Sequence, residues 1–560
     1  MPTSSQLSSG RLNLAQIHES YLKDMLALLD SIGGSKCIVW DELLMEQLST
    51  IFEYQILKAH GVSQMMCPVA PGLQLTTQTT NVIFVIPPHL RHMDVIAECI
   101  KTSRCAPDVS YHILFVPRDS FLCRQHLERR GVLGSIQIHQ LLVEVLPLDA
   151  DIMSMGLDNL FRECLVDNDN SQLLAVARAI GMLQSLYGVI PHVRGKGPLA
   201  QRLFQLMLRL RKELSGKESP SVSQVDTLFL LDRSVDLLSP LATQLTYEGL
   251  LDEIYGIRNN VVMLPRDKYP AESAKRADSA KRGSENKVRI ELSSADDLFI
   301  ELRDRNFNTV GPALNRMAKQ LSKQCGELHD ATTLSAMADF VHRLPKIRDT
   351  KESLAKHCAI SALVQECISE PTFYESLFRE QEFLRGEATA DQPHSHIEDC
   401  IANGTPLTKP KVLEHYKREV IQQYGIDKLV LLKNLETCGL LRVYQGSQKG
   451  YAMMLKTLRL NVDNVNEAEP TDVAFVHQIY APLSVRLLQF YGSPGWRAIT
   501  DVLEVLPGAT IEELQMAAAG KLQRRGSHES LQSGAGVEEK KLALVVFIGG
   551  CTFAEISALR

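Results

Sequence analysis

The chain of 560 residues predicts an α/β protein with a large helical insertion. Three observations predict it. Short apolar, β-rich runs alternate with helical segments up to about residue 257. From 295 to about 440 the pattern is helical almost throughout, and the strand signal returns only at LALVVFIGG, 542–550. An α/β unit that opens before the helical block therefore closes after it.

The elements follow in order. Residues 13–30 set Leu14, Ile17, Tyr21, Met25 and Leu28 at three- and four-residue steps, an amphipathic helix that Gly33 and Gly34 would end. CIVW (37–40), NVIFVIP (81–87), YHILFVP (111–117) and LVEVLPLD (142–149) read as strands, with MDVIAECI and SFLCRQHLERRG as helices among them. Strand, helix, strand at this spacing makes a parallel sheet, because parallel neighbours need a crossover long enough to hold a helix. Residues 171–187 and 198–214 are helical, and TLFLLDR (227–233) is a further buried strand. AESAKRADSAKRGSENK (271–287) and QRRGSHESLQSGAGVEEKK (523–541) are poor in apolar residues and are expected to be mobile loops.

Composition narrows the function. The length implies two to four domains, and 45% apolar with 22% charged residues is ordinary globular composition. A net charge of −6 offers no cationic field for phosphate backbones, so nucleic acid is not an expected partner. The N-terminus lacks a basic segment followed by an apolar run, and no apolar run is long enough to span a bilayer. The twelve cysteines include no Cys-x-x-Cys and read as reduced, core-filling residues.

Catalytic patterns are thin. GGSK at 33–36 lacks the phosphate-loop spacing, and neither Gly-x-Gly-x-x-Gly nor Gly-x-Ser-x-Gly occurs. His394, His396 and Cys400 lie in the polar stretch HSHIEDC, which reads as a solvated loop rather than a metal site. No cofactor and no metal is implied. What remains is LFLLDRSVDLLSPLATQLTYEGLLDEIYGI, 228–257, where Asp232 ends a buried strand. Open α/β sheets bind ligands beyond the carboxyl ends of their strands, so a phosphate-handling hydrolase using Asp232 and Asp236 is one reading. The other is architecture: Ser239 and Pro240 start a helix, Leu241, Leu245 and Ile254 line it, and Asp232 with Arg233 ties the strand exit to it.

The same stretch resembles the signature of the SM (Sec/Munc-type) family of SNARE-assembly chaperones. GSKCIVWDE (34–42), HILFVPR (112–118), VEVLPLDADIMSM (143–155), KTLRLNVDNVNE (456–467), YAPLSVRLLQ (480–489) and GGCTFAEISALR (549–560) extend the resemblance over nearly the whole chain. It implies an arch-shaped fold of three domains, with parallel sheets in domains 1 and 2 and a mainly α-helical domain 3. The expected bounds are 1–135 for domain 1, 136–245 with 475–560 for domain 2, and 246–474 for domain 3. Asp232, Arg233, Asp236 and Pro240 are then structural, and the protein is not an enzyme. Syntaxin-like and R-type SNARE helices would lie in a cleft between domain 1 and the SNARE-facing part of domain 3, about 290–360.

Within the family the chain is similar to the vacuolar sorting branch found in the HOPS and CORVET tethering complexes. That similarity implies vacuolar sorting protein sixteen and the other complex subunits as partners, on a face at about 361–474. It also implies a cytoplasmic protein held peripherally on late endosome and lysosome membranes, and on early endosomes, through its complex. The family continues past SALR with another strand and helix, so the second domain is expected to lack an edge strand. CIANGTPLTKPKVLEHYKRE (400–419) is expected to be shortened where the family carries another apolar helical segment.

Two surfaces follow. A receptor for an amphipathic SNARE helix needs an exposed groove with an apolar floor and a polar rim. LNRMAKQLSKQ, within the segment Asp297 to Phe340, puts Leu314, Met317 and Leu321 on one stripe. The expected SNARE-binding residues are Arg316, Met317, Lys319, Gln320 and Lys323. In VLEHYKREVIQQYGIDKLVLLKNLETCGLL (412–441), Leu413, Tyr416, Val420 and Tyr424 form an internal stripe with Lys417 on its flank. Asp427 is expected to cap a second helix that Gly439 ends. The run Leu429 to Leu432 wraps around that helix and cannot all face one core, so Lys417, Ile426 and Leu429 are expected to bind the partner subunit.

Overall fold

The computed structural model describes residues 12–515 and 542–560, apart from 50, 67, 76–77, 103–108, 215–222, 270–286, 327–333, 386–409, 440 and 442–448. HSHIEDC, the 523–541 insertion, the 271–287 loop except Lys287, and most of the 400–412 region therefore lie outside the described residues.

Helix α1 (Ala15–Ser31) buries Ile17, Tyr21, Met25 and Leu29 against the first sheet, and Gly34 follows with φ +85°. That sheet is parallel and contains β1 (Lys36–Trp40), β2 (Val62–Met66), β3 (Asn81–Ile86), β4 (Ser110–Phe115) and β5 (Ile136–Gln140), in the order β2-β1-β3-β4-β5. Helices α2 (Leu90–Thr102) and α3 (Phe121–Arg129) connect its strands. β1 and β3 are buried at every position because both sheet faces are covered, and a continuous apolar run is the result. LVEVLPLD is a correction. It enters the core as irregular chain, burying Val143 and Val145, and only Leu146–Pro147 pairs, with Met153–Ser154.

The second sheet is assembled from distant segments. After α4 (Ser171–Tyr187), β6 (His192–Lys196) leads through α5 (Pro198–Leu214) to β7 (Thr227–Asp232). Beyond the helical block, β11 (Thr510–Leu514) and β12 (Ala543–Ile548) complete the order β11-β6-β7-β12. β12 runs parallel to β7 from Ala543↔Thr227 to Ile548↔Asp232, and β11 is antiparallel to β6. Lys196 is buried in β6 and its Nζ donates to the Gly508 carbonyl at 2.6 Å.

Between these segments comes α6 (Tyr247–Tyr255), then an antiparallel sheet of β8 (Ile257–Arg258), β9 (Val261–Pro265) and β10 (Lys287–Glu291). The expectation that strands return only at 542 was wrong here and at β11. The helical block follows as predicted: α7 (Asp297–Leu302), α8 (Phe307–Gly326), α9 (Leu334–Ile368), α10 (Pro371–Arg385), α11 (Pro410–Tyr424) and α12 (Lys428–Thr437). Helices α13 (Leu483–Gly492) and α14 (Phe553–Leu559) return the chain to the second sheet. The described cysteines are free thiols, and no described helix is long and apolar enough to cross a membrane.

Candidate functional site

Asp232 ends β7 almost wholly buried, and both of its carboxylate oxygens are engaged. Oδ2 accepts the Leu199 N–H at 2.7 Å and Oδ1 the Ser234 N–H at 2.9 Å. The acid therefore caps α5, which starts with proline at its first position. Gly197 permits the approach: its φ is +112°, and a Cβ there would lie 2.3 Å from the Cβ of Asp232. Burial pushes the Asp232 carboxyl up from its ordinary pKa, against the pull of the two N–H donors.

Arg233 carries the next link. Its guanidinium meets Glu555 of α14 in a two-pronged pair at 2.8 and 3.0 Å, and its Nε donates to the Asp236 carbonyl at 2.7 Å. Asp236 accepts from the Ser239 N–H (3.1 Å) and hydroxyl (2.7 Å) and from the Ser484 N–H of α13 (3.0 Å). Glu555 also closes a capping box with Thr552. Strand β7 and helices α5, α13 and α14 are thus fastened by one buried polar network.

Two expectations are corrected. Residues 239–241 form a turn, because Asp236 takes the Ser239 hydroxyl, so Pro240 starts no helix. The helix begins instead at Tyr247, where the Thr246 Oγ1 accepts the Gly249 N–H, and Asp232 holds α5 rather than this helix. The hydrolase reading falls with the same geometry: both carboxylates point into the fold and are bonded to it, leaving no reacting centre between them.

The predicted SNARE face divides in two. Leu314 and Leu321 are buried and Met317 is half-buried, with Leu314 and Met317 packed in the cluster that holds Ile360, Leu363 and Val364 of α9. The apolar stripe serves its own domain core, so Met317 does not floor an open groove. The opposite face is exposed. Pro312, Asn315, Arg316, Lys319, Gln320 and Lys323, at three- and four-residue steps along α8, line an open groove of about 500 Å³. Arg316 sits 3.4 Å from Glu301 of α7, while Lys319 and Lys323 have no ion-pair partner among the described residues. Asn315 and Pro312 share this face and were missed, although their spacing from Arg316 and Lys319 marks them.

Helices α11 and α12 form a pair around Leu413, Leu432 and Leu441. Tyr424 is exposed, not internal, because α11 ends there and Gly425 follows with φ +98°. The side chain of Tyr416 lies outside the described residues. Lys417 is held within the pair, its Nζ donating to Glu414 and to Glu436 of α12. Asp427 does not cap α12 with its side chain; it pairs with Lys428 at 2.8 Å. Gly439 does follow the helix, with φ +76°. Of the run Leu429 to Leu432, Leu432 alone is buried, while Leu429, Val430 and Leu431 are exposed and Ile426 is 78% exposed. These four side chains form an uncovered apolar ridge on the outer side of the pair.

Comparison with known proteins places this architecture. The model of the Sec1 family matches residues 36–560. Vacuolar protein sorting-associated protein 33A of Rattus norvegicus is 41% identical over 572 residues, covering 99% of this chain and 94% of its own length. The vacuolar protein-sorting-associated protein 33 homolog of Arabidopsis thaliana is 32% identical, with 99% and 93% covered. Among solved structures, the SM protein Vps45 in complex with the Qa SNARE Tlg2 aligns with a TM-score of 0.55 at 14% identity, over 90% of this chain and 88% of that one. The Unc18–syntaxin 1 complex from Monosiga brevicollis aligns with a TM-score of 0.54 at 15% identity, over 87% and 89%. These two likenesses are of fold. The family match and the sequence relatives carry the conclusion: the chain belongs to the Sec1 family.

Proposed function

We propose that this chain is a non-enzymatic SNARE-binding subunit of a vesicle-tethering complex, supporting SNARE assembly for endosomal, lysosomal and autophagosomal fusion. The observation that carries the reading is the α8 face, where Lys319 and Lys323 stand exposed beside Arg316 along an open groove. An amphipathic SNARE helix with an acidic outer surface matches that charge. The uncovered ridge of Ile426, Leu429, Val430 and Leu431 supports a second contact, with vacuolar sorting protein sixteen in a HOPS- or CORVET-like assembly. Membrane residence on late endosomes and lysosomes would then come through the complex. The relatives' names speak of vacuolar protein sorting, and the Vps45 and Unc18 structures hold a Qa SNARE and a syntaxin.

The test is charge reversal. The double substitution Lys319→Glu, Lys323→Glu should weaken capture of purified SNARE-motif helices at low salt. The gap to wild type should narrow as salt rises, because screening removes the attraction that was reversed. Wild-type affinity at low salt in the double variant would remove α8 from the site.

A further inference from the structure

The helix that carries the groove is pinned, through one buried arginine, to the segment leaving the first sheet. Val145 is buried in the core shared with that sheet, and Asp149 lies four residues further on. Arg303 caps the C-terminal end of α7, four residues before α8 begins. Its side chain is only 4% exposed. Nε and Nη2 donate to the two carboxylate oxygens of Glu248 on α6, both at 2.8 Å. Nη1 donates to Asp149 Oδ2 at 2.5 Å and to Ser294 Oγ at 3.2 Å, and the guanidinium lies 4.7 Å over the Phe299 ring. From its side, Asp149 Oδ1 also accepts the Ser294 N–H at 3.3 Å, and the Leu148 carbonyl accepts the Asn260 side-chain amide. Arg560 reinforces the junction, bonding Asp151 at 2.9 and 3.1 Å and Asp304 at 3.1 Å.

The division of labour among these bonds matters. Arg303 with Glu248 is complete on one side of the junction, since α6 packs in one core with α7, α8 and α9. Asp149 belongs to the other side, so its bond to Arg303 crosses the junction. Apolar surfaces can slide over one another, whereas a planar guanidinium forked between two carboxylates holds one orientation. The connection from Arg303 to α8 is itself fastened: the Glu248 N–H donates to the Arg303 carbonyl, the Tyr247 N–H to that of Arg305, and the Phe307 N–H to that of Leu245.

We infer that Arg303, through Asp149, is a positioning residue that sets the α8 groove relative to the first sheet and so fixes the cleft in which a SNARE helix is held. This inference rests on the SNARE-binding reading above. Losing the Arg303–Asp149 bond removes the forked contact from a junction that Asn260 with Leu148 and Arg560 with Asp151 and Asp304 still hold. The block then samples a wider range of angles, and the SNARE helix must select the competent one, which lowers its affinity.

The variant that isolates this link is Asp149→Asn in the full chain. It keeps the side chain's shape, removes its charge, and leaves Arg303 paired with Glu248. Three quantities are measured on it: affinity for a purified SNARE-motif helix, affinity for vacuolar sorting protein sixteen, and the small-angle X-ray scattering pair-distance distribution. SNARE affinity should fall about tenfold, within the range usual for coupling between sites. The second affinity should hold, and the distance distribution should broaden. Equal loss of both affinities, or an unchanged distribution with wild-type SNARE affinity, overturns the inference. If the wild-type chain itself captures no SNARE helix, the functional reading fails, while a broadened distribution in the variant still supports the latch and an unchanged one rejects it. Arg303→Lys is the second variant: it keeps the charge without the fork, and it should broaden the distribution as Asp149→Asn does.

Discussion

Replacing Glu555 by Gln should loosen the second sheet far more than its isosteric shape suggests. In the native chain the Glu555 carboxylate receives the Arg233 fork at 2.8 and 3.0 Å, the Thr552 N–H at 2.9 Å and the Ser484 hydroxyl. The residue is fully buried and Arg233 is 6% exposed, so no water can take over the guanidinium. A glutamine turns one acceptor oxygen into an amide donor and leaves Arg233, among the described residues, with Asp236 as its remaining ion-pair partner, at 3.5 Å. Removing one partner of a buried ion pair costs about 3–5 kcal/mol. A chain with several cores need not unfold in one step, so global melting is the wrong readout. Native-state hydrogen exchange of β7 and β12 reports the local opening directly. At 1.36 kcal/mol per power of ten, their slowest amides should exchange roughly two to four powers of ten faster in the variant. Acceleration below tenfold would refute the view that Arg233 and Glu555 hold this sheet together.

Ile426→Asp, at a 78% exposed position, should abolish co-purification with vacuolar sorting protein sixteen while leaving the melting temperature unchanged; a collapse in melting would assign the residue to core packing instead. Gly197→Ala forces a side chain into φ +112° and against Asp232, which should cost about 2–4 kcal/mol and speed exchange at the start of α5. His112 supplies a pH dependence. Burial first, then the charge of neighbouring His139, lowers its pKa from 6.5 to about 4. The unfolded imidazole therefore takes its proton more readily than the folded one, so its contribution to stability is complete above pH 6.5 and is lost as pH falls toward 4. By pH 5 the loss from this residue should be about 2 kcal/mol, read by native-state hydrogen exchange as the part of the pH 7.5-to-5 drop in the opening free energy of β4 that His112→Asn abolishes. An equal drop in both proteins would discount it.

What was legible in the sequence follows burial. β1, β3, β4 and β7 are largely covered on both faces, so their apolar runs are continuous and stand out; β12 is apolar throughout although only Val546 and Ile548 of it are buried. β2 and β5 lie at the edges of the first sheet, where VSQMM and IQIHQ mix apolar with polar residues and no run forms. β6 was missed because HVRGK offers one apolar side chain, and its buried Lys196 is satisfied by bonds to Gly508 and Thr510 that only the fold supplies. LVEVLPLD misled in the opposite sense: its valines are buried because the segment crosses a core, without a strand beside it. The same ambiguity divided the candidate surfaces. The spacing of Leu314, Met317 and Leu321 reveals an apolar stripe but not what covers it, and α9 covers it here. The Leu429 to Leu432 run was more informative, since four successive helical residues point in four directions and only Leu432 found the core.

If the exposed face of α8 receives a SNARE helix, a hydrogen-exchange footprint of the complex with a purified SNARE motif will show it. Exchange should slow along residues 312–323 on binding, with the α11–α12 pair unaffected. Binding that leaves α8 unprotected, or no binding by a folded chain, would contradict it.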